Sequence, residues 1–128
     1  MAQVSKGAIG EVIAARHLRE KGYRILTGNY HTRVGEIDII AQDDRYIVFV
    51  EVKARDEDAL YTPREAVTRQ KQQKIIRSAA LFLERYPNER QPRFDVIEIV
   101  TAKFHPMEVR ELNHIIGAYE TGDLHAAF

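Results

Sequence analysis

The chain has 128 residues, with nineteen Lys and Arg balanced by nineteen Asp and Glu, and no cysteine. That length suits one domain, and an apolar content of 45% supports one hydrophobic core rather than two. Without thiols, a disulfide framework and a thiolate metal site are both excluded. No apolar run approaches the ~20 residues that cross a bilayer, and the N-terminus lacks a signal-peptide pattern. A cytoplasmic protein with no membrane partner is therefore expected, built as one domain over residues 1–119 with a mobile tail at 120–128.

Ser5 can cap a helix running to about Lys21, with Gly22 suited to the position just past its end. Residues 23–30 (YRILTGNY) read as a strand, and the turn-prone Thr32–Gly35 segment leads to a second strand at 36–41 (EIDIIA). A short polar turn at 42–45 precedes Tyr46–Lys53 (YIVFVEVK), whose β-branched and aromatic residues give the strongest strand signal in the chain. Thr62-Pro63-Arg64-Glu65 has the form of a capping box with proline at the first helical position. The helix it opens continues to about Tyr86, carries Val67, Ile75, Ala79, Phe82 and Tyr86 in one stripe, and stops at Pro87. Phe94–Thr101 is another strand, joined to the third by a helix and so expected to run parallel to it. A weaker strand is indicated at 107–112. The order α-β-β-β-α-β predicts an α/β fold, a mixed sheet flanked by helices.

Zero net charge is unusual for a nucleic-acid binder, but the charge is unevenly spread. Between Arg64 and Arg77 five basic residues stand against Glu65 alone, and Arg16, Arg19, Lys21, Arg24 and Arg33 have only Glu20 among them. Such clusters are commonly solvated helix faces. They are equally compatible with salt-sensitive phosphate binding.

The second and third strands form a hairpin whose faces follow from simple geometry. With the turn centred between Asp43 and Asp44, residues whose numbers sum to 87 oppose each other, so Asp38 faces Phe49 and Glu36 faces Glu51. One face then carries Ile40, Ile47 and Phe49, and beyond them Glu36, Asp38, Glu51 and Lys53. The other face, with Ile37, Ile39, Val48, Val50 and Val52, is uniformly apolar. Carboxylates ~6 Å apart repel by roughly 3 kcal/mol at an effective dielectric near 20. One lysine cannot offset three of them. Oxygen donors of this kind favour Mg²⁺ or Mn²⁺, which polarises a phosphoryl oxygen and acidifies bound water. Lys53 on the same face could orient that water or neutralise developing charge. The same pattern also describes a solvent-facing strand end with a cross-strand ion pair. Glu11 falls between Ala15 and Leu18 on the sheet-facing side of the first helix, where it needs a cation or a partner such as Arg16 or Arg19. Lys71, between Val67 and Ile75 in the apolar stripe, either snorkels outward or points at a phosphate.

The runs Gly35-Glu36-Ile37-Asp38-Ile39-Ile40 and Phe49-Val50-Glu51-Val52-Lys53-Ala54-Arg55 resemble the YraN-like family of bacterial proteins. That family falls in the restriction-endonuclease-like PD-(D/E)XK superfamily and is similar to archaeal-type Holliday-junction resolvases. Lys6-Gly7, Gly10-Glu11, Gly22-Tyr23, Asn29-Tyr30, Lys71, Arg93-Phe94-Asp95 and the stretch Asn113–Tyr119 extend the resemblance over almost the whole chain. It implies a restriction-endonuclease-like core, with Asp38 and Glu51 as metal ligands, Lys53 as the catalytic lysine, Glu11 as the helix acid and Gln70 or Lys71 as an assisting residue. Ile37 stands where the superfamily motif often has proline.

The expected activity is Mg²⁺- or Mn²⁺-dependent endonucleolytic hydrolysis of DNA, branched or otherwise structured. Asp38, Glu51 and the Val52 carbonyl would hold the ion, and Glu36 and Glu11 would support the site. Arg33, Arg55, Gln70, Lys71 and Lys74 would contact nucleic acid. Resolvase-like relatives suggest a homodimer, since two symmetric cuts need two sites; no small-molecule cofactor is expected. Two other classes compete: a nucleic-acid-binding module of the same fold without catalysis, and a protein-interaction subunit. No Walker loop, GxSxG elbow or HExxH motif is present. The five histidines are scattered in sequence, and none reads as a zinc ligand.

Overall fold

The computed structural model describes residues 6–59 and 68–121. Its elements are α1 (Lys6–Glu20), β1 (Arg24–His31), β2 (Glu36–Gln42), β3 (Tyr46–Asp56), α2 (Arg69–Arg85), β4 (Gln91–Ala102) and β5 (His105–Tyr119). The strands form one five-stranded sheet in the order β1-β2-β3-β4-β5. The β3–β4 pair is parallel, as the connecting helix requires, and the remaining pairs are antiparallel. This is the expected mixed α/β sheet flanked by two helices, consistent with a restriction-endonuclease-like fold.

Both faces of the sheet are covered. On one, α1 places Ile13, Ala14 and Leu18 against Ile39, Ala41, Val48, Val50, Ile97 and Ile99. On the other, α2 places Ile75, Ile76, Ala79 and Phe82 against Ile37, Ile40, Ile47, Phe49 and Phe94. Phe49 is fully buried and stacks on Phe94, with ring centroids 5.5 Å apart. No helix among the described residues is long and apolar enough to cross a membrane.

The C-terminal end of α1 behaves as the sequence indicates, while Ser5, the expected cap at its start, lies outside the described residues. Gly22 takes φ +94°, and Tyr23 N–H reaches back to the Leu18 carbonyl at 2.9 Å, which satisfies an otherwise orphaned carbonyl. Gly10 allows α1 to lie close to β3: a Cβ there would come within 2.8 Å of the Ala54 Cβ.

Four expectations are corrected. First, the hairpin register is displaced by two residues. Ile39 pairs with Val50 and Ile40 with Phe49, because the Asp43 carboxylate accepts from Arg45 N–H and Tyr46 N–H and so moves the turn one residue along. Continued one step, this register sets Asp38 across from Glu51 rather than from Phe49, and the charge of Glu51 acts on Asp38. Second, Ile37 packs with the α2-side cluster although Ile39 packs on the α1 side. The alternation of β2 thus fails around Asp38, beside Asn29 of β1 with its positive φ of 49°. Third, α2 opens at Thr68, whose hydroxyl accepts from Lys71 N–H at 3.2 Å. The capping box at Thr62–Glu65 lies outside the described residues, as do Val67 and positions 122–128 of the tail. At the other end Tyr86 is a half-exposed cap rather than part of the buried stripe. Fourth, the weak strand at 107–112 is a fifteen-residue edge strand that pairs with most of β4.

Candidate active site at the split between two strands

The recorded β2–β3 ladder ends at Ile39–Val50. One step beyond, the strands part, and Val52 N–H is taken by the Asp38 carboxylate at 2.8 Å instead of by a backbone carbonyl of β2. Asp38 therefore fills the opening of the hairpin. Glu51 opposite is 5% exposed, and its Oε1 receives Lys53 Nζ at 2.9 Å and Lys71 Nζ at 2.6 Å. A carboxylate buried this deeply needs such partners to stay charged. Hence β2, β3 and α2 each contribute to one charged cluster.

Both lysines sit on Glu51, which leaves Asp38 with the Val52 N–H as its hydrogen-bond donor among the described residues. Burial pushes the Asp38 carboxyl up to about 7, and the neighbouring charges of Glu51 and Glu11 push the same way against the Val52 N–H and Lys71. For the Lys71 ammonium, burial works downward, yet its hydrogen bond to Glu51 and the charges of Glu51 and Asp38 hold it above the ordinary lysine value. Glu11 is tied to Asn29 Nδ2 at 2.9 Å, not to Arg16 or Arg19, and bears on Asp38 through its field. A cleft of about 330 Å³ opens beside Glu51, walled by Gly35, Glu36, Thr68, Gln70, Lys71 and Lys74.

The structure thus assembles Asp38, Glu51, Lys53 and Lys71, sets Gln70 and Lys74 at the adjoining cleft, and brings Glu11 near enough for its charge to act on Asp38. It does not assemble all of the expected residues. Glu36 is largely exposed and pairs with His31 at 3.2 Å, so it is at most a rim residue. Arg55 is turned away into its own loop, where Nη1 donates to the Asp56 and Ala59 carbonyls and Nε is buried without a partner among the described residues. Arg33 lines a separate groove on the far side of the Thr32–Gly35 turn. Among the described residues no three His, Asp or Glu side chains converge as a ready metal cage. The oxygen donors shown at the hairpin opening are the Asp38 and Glu51 carboxylates.

A second polar cluster lies between β4, β5 and α1. Asp95 is fully buried, clamped by Arg93 Nε at 2.9 Å and Nη2 at 2.8 Å, by His114 Nε2 at 2.7 Å and by Gly117 N–H at 3.0 Å. Burial alone would raise its pKa. The His114 bond, the Arg93 clamp and the Gly117 N–H together hold it below the ordinary carboxylate value. His114 also meets His17 at 3.0 Å, and Arg93 lies over the Tyr46 ring, so two histidines far apart in sequence become one contact. A charged residue between Phe94 and Val96 in a buried strand was the available signal for this cluster. Asn29 and Thr68 gave no comparable one.

A sequence profile described as the uncharacterised protein family UPF0102 matches residues 10–99. The chain belongs to the UPF0102 family. It is 48% identical over 118 residues to a UPF0102 protein of Chlorobium phaeobacteroides, covering 90% of this chain and 94% of that one. It is 42% identical over 114 residues to a UPF0102 protein of Caldanaerobacter subterraneus, covering 88% and 93%. Over 94 residues it is 50% identical to a UPF0102 protein of Symbiobacterium thermophilum, covering 73% and 80%. The YraN-like resemblance read from the residues is the same family, and the UPF0102 match spans the hairpin, α2 and most of β4.

Proposed function

We propose that this UPF0102 chain is a divalent-metal-dependent endonuclease that hydrolyses phosphodiester bonds in DNA, with Asp38, Glu51 and Lys53 at its centre. The observation that carries this reading is the opening of the hairpin. Two carboxylates from adjacent strands face each other there, and one of them is pushed up to about 7 by burial and like charge. Such an arrangement is unfavourable for folding and suits a group that awaits a cation.

The donor chemistry fits a hard divalent ion. Asp38 engages Val52 N–H through Oδ2, and both lysines sit on Oε1 of Glu51, so each carboxylate keeps a second oxygen among the described residues. Those oxygens and the Val52 carbonyl would hold Mg²⁺ or Mn²⁺. When bound, the ion supplies Lewis acidity toward a phosphoryl oxygen. Lys53 is mostly buried and already positioned by Glu51, so it brings fixed positive charge to the side of the site where a phosphorane-like transition state gains negative charge. Glu11 adds to the field at Asp38, and Gln70, Lys71 and Lys74 stand where a phosphate entering the cleft would meet them.

Isothermal titration of Mn²⁺ into wild type and Asp38→Asn, followed by cleavage assays on linear and branched DNA, tests the proposal. Saturable binding that disappears in Asp38→Asn, and cleavage that disappears in both Asp38→Asn and Lys53→Ala, are expected. Equal metal binding by wild type and Asp38→Asn would sink it. A second reading has one observation in its favour: two lysines already neutralise Glu51. It describes a nucleic-acid-binding module of the same fold without catalysis, whose DNA binding would be salt-sensitive, indifferent to EDTA and never followed by cleavage.

A further inference from the structure

We propose that one side of α2 is a track for a single nucleic-acid strand, with Lys74, Arg33 and Arg77 taking successive phosphates. That the strand leads to the Asp38–Glu51–Lys53 site rests on the nuclease reading; that the track binds a strand does not.

The track follows from the spacing of residues along the helix. The cleft beside Glu51 is bounded by Gln70 and Lys74, and a larger groove of about 1080 Å³ is bounded by Arg77, Leu81 and Glu84. Positions 70, 74, 77, 81 and 84 are separated alternately by four and three residues, which places them on one side of α2. The two hollows therefore lie end to end over about 21 Å of helix, at 1.5 Å per residue. Between them stands the Thr32–Gly35 turn, which is pinned to the helix. Thr32 Oγ1 contacts the buried Ser78 hydroxyl at 2.9 Å and accepts from Val34 N–H and Gly35 N–H at 3.2 and 3.1 Å. A Cβ on Gly35 would stand 3.3 Å from that of Lys74, so the turn has no room to sit closer. Arg33 is thus presented on an ordered turn across from Arg77.

Charge points to the occupant. Lys53, Lys71, Arg93, Lys103 and Arg110 are all engaged by carboxylates. Lys74, Arg33 and Arg77 are exposed, and none has an acidic partner among the described residues. The groove floor is apolar, with Val34, Leu81 and Pro92. Unpaired cations over an apolar floor suit a strand whose bases are free to lie down; a base-paired duplex keeps its bases stacked inside. At the far end Glu84 and Glu89 line the groove, and Arg90 is spent on the Asp43 carbonyl at 2.6 Å. The anion-binding stretch ends there, which limits it to about three phosphates.

The test is equilibrium binding of a labelled twelve-residue oligothymidylate, and of a duplex of equal length, in EDTA across a salt series. The proteins are wild type, Arg33→Gln/Arg77→Gln and Asp38→Asn. Wild type should prefer the single strand, with log K falling against log salt with a slope of about −2, roughly 0.7 for each of three phosphates. The double variant should lose about tenfold in affinity at low salt and about 1.4 of that slope. Its urea midpoint should not move, because both arginines are exposed. Failure of wild type to bind the strand, equal binding of duplex, an unchanged slope in the double variant, or equally good competition by polyglutamate would each overturn the track. Asp38→Asn is titrated with Mn²⁺ and tests the nuclease reading alone. If it binds Mn²⁺ as wild type does, the nuclease reading fails whatever the track shows; if the double variant binds the strand as wild type does, the track fails whatever the metal shows.

Discussion

Asp38→Asn should make the protein more stable at alkaline pH and leave it unchanged in acid. The folded state moves the Asp38 carboxyl from an ordinary value near 3.8 to about 7, chiefly through burial and the charge of Glu51. At 1.36 kcal/mol for each tenfold change, the ionised carboxylate is disfavoured in the fold by at most about 4 kcal/mol. The sign follows from proton uptake. Between about pH 4 and 7 the folded state holds a proton that the unfolded chain has released, so the contribution of Asp38 to stability falls as pH rises through that window. Asparagine cannot ionise and keeps an oxygen for the Val52 N–H, though it gives up the attraction to Lys71. A net gain of about 1–3 kcal/mol is expected at pH 8, or roughly 5 °C in Tm per kcal/mol. At pH 4 both proteins present a neutral side chain, and the difference should vanish. Thermal denaturation of both proteins from pH 4 to 8, without divalent metal, makes the comparison. A variant that is less stable at pH 8, or a difference that does not change with pH, would refute the electrostatic account. A stabilising substitution at a chemically strained position is what a functional site predicts.

Three further substitutions probe what holds the site. Gly10→Ala should cost ~1–3 kcal/mol by urea denaturation, because the new methyl meets Ala54 at 2.8 Å, and Ala54→Gly in the same chain should restore most of it. Asp95→Asn should cost ~3–5 kcal/mol, since it leaves the Arg93 guanidinium facing an uncharged group in a buried clamp. The stabilisation from Asp95 is complete above its ordinary pKa and is lost as pH falls through the lowered folded value. An acid titration should therefore show a flatter limb in that variant. Thr68→Ala should lower stability by ~1 kcal/mol, measured as Tm, by removing the acceptor for Lys71 N–H.

Much of the fold was legible because its signals are local. β3 is apolar on both faces and β-branched, and Gly22 closes α1 through its left-handed backbone. That Asp38 and Glu51 come together could be read from the hairpin pattern and survived an error of two residues in the register, but the break in alternation between Ile37 and Ile39 could not be read. The features that were not legible depend on contacts distant in sequence. The turn moved because the Asp43 side chain captures two backbone N–H groups, one of several options open to a polar tetrapeptide. β5 looked short because its residues are mostly exposed, so the pattern of burial that marks a strand is absent; pairing with β4 makes it. Arg55 belongs to the same motif run as Lys53 yet turns into its own loop, which no spacing rule reveals. Lys71 was poised between two readings, and only its 2.6 Å contact with Glu51 decides for the site.

The long strand β5 has a consequence for how the molecule keeps company with itself. A border of fifteen residues offers unused backbone donors and acceptors to any passing chain, the template from which strand stacking grows without end. Here that invitation is withdrawn by residue choice. Pro106 lacks an N–H, Glu108, Arg110 and Glu111 place charge along the rim, and pairing with β4 is interrupted at Thr101–Ala102, so the outer ribbon is not a flat ledge. Replacing those charges with threonine or valine would leave the hairpin paired inward while exposing a sticky margin.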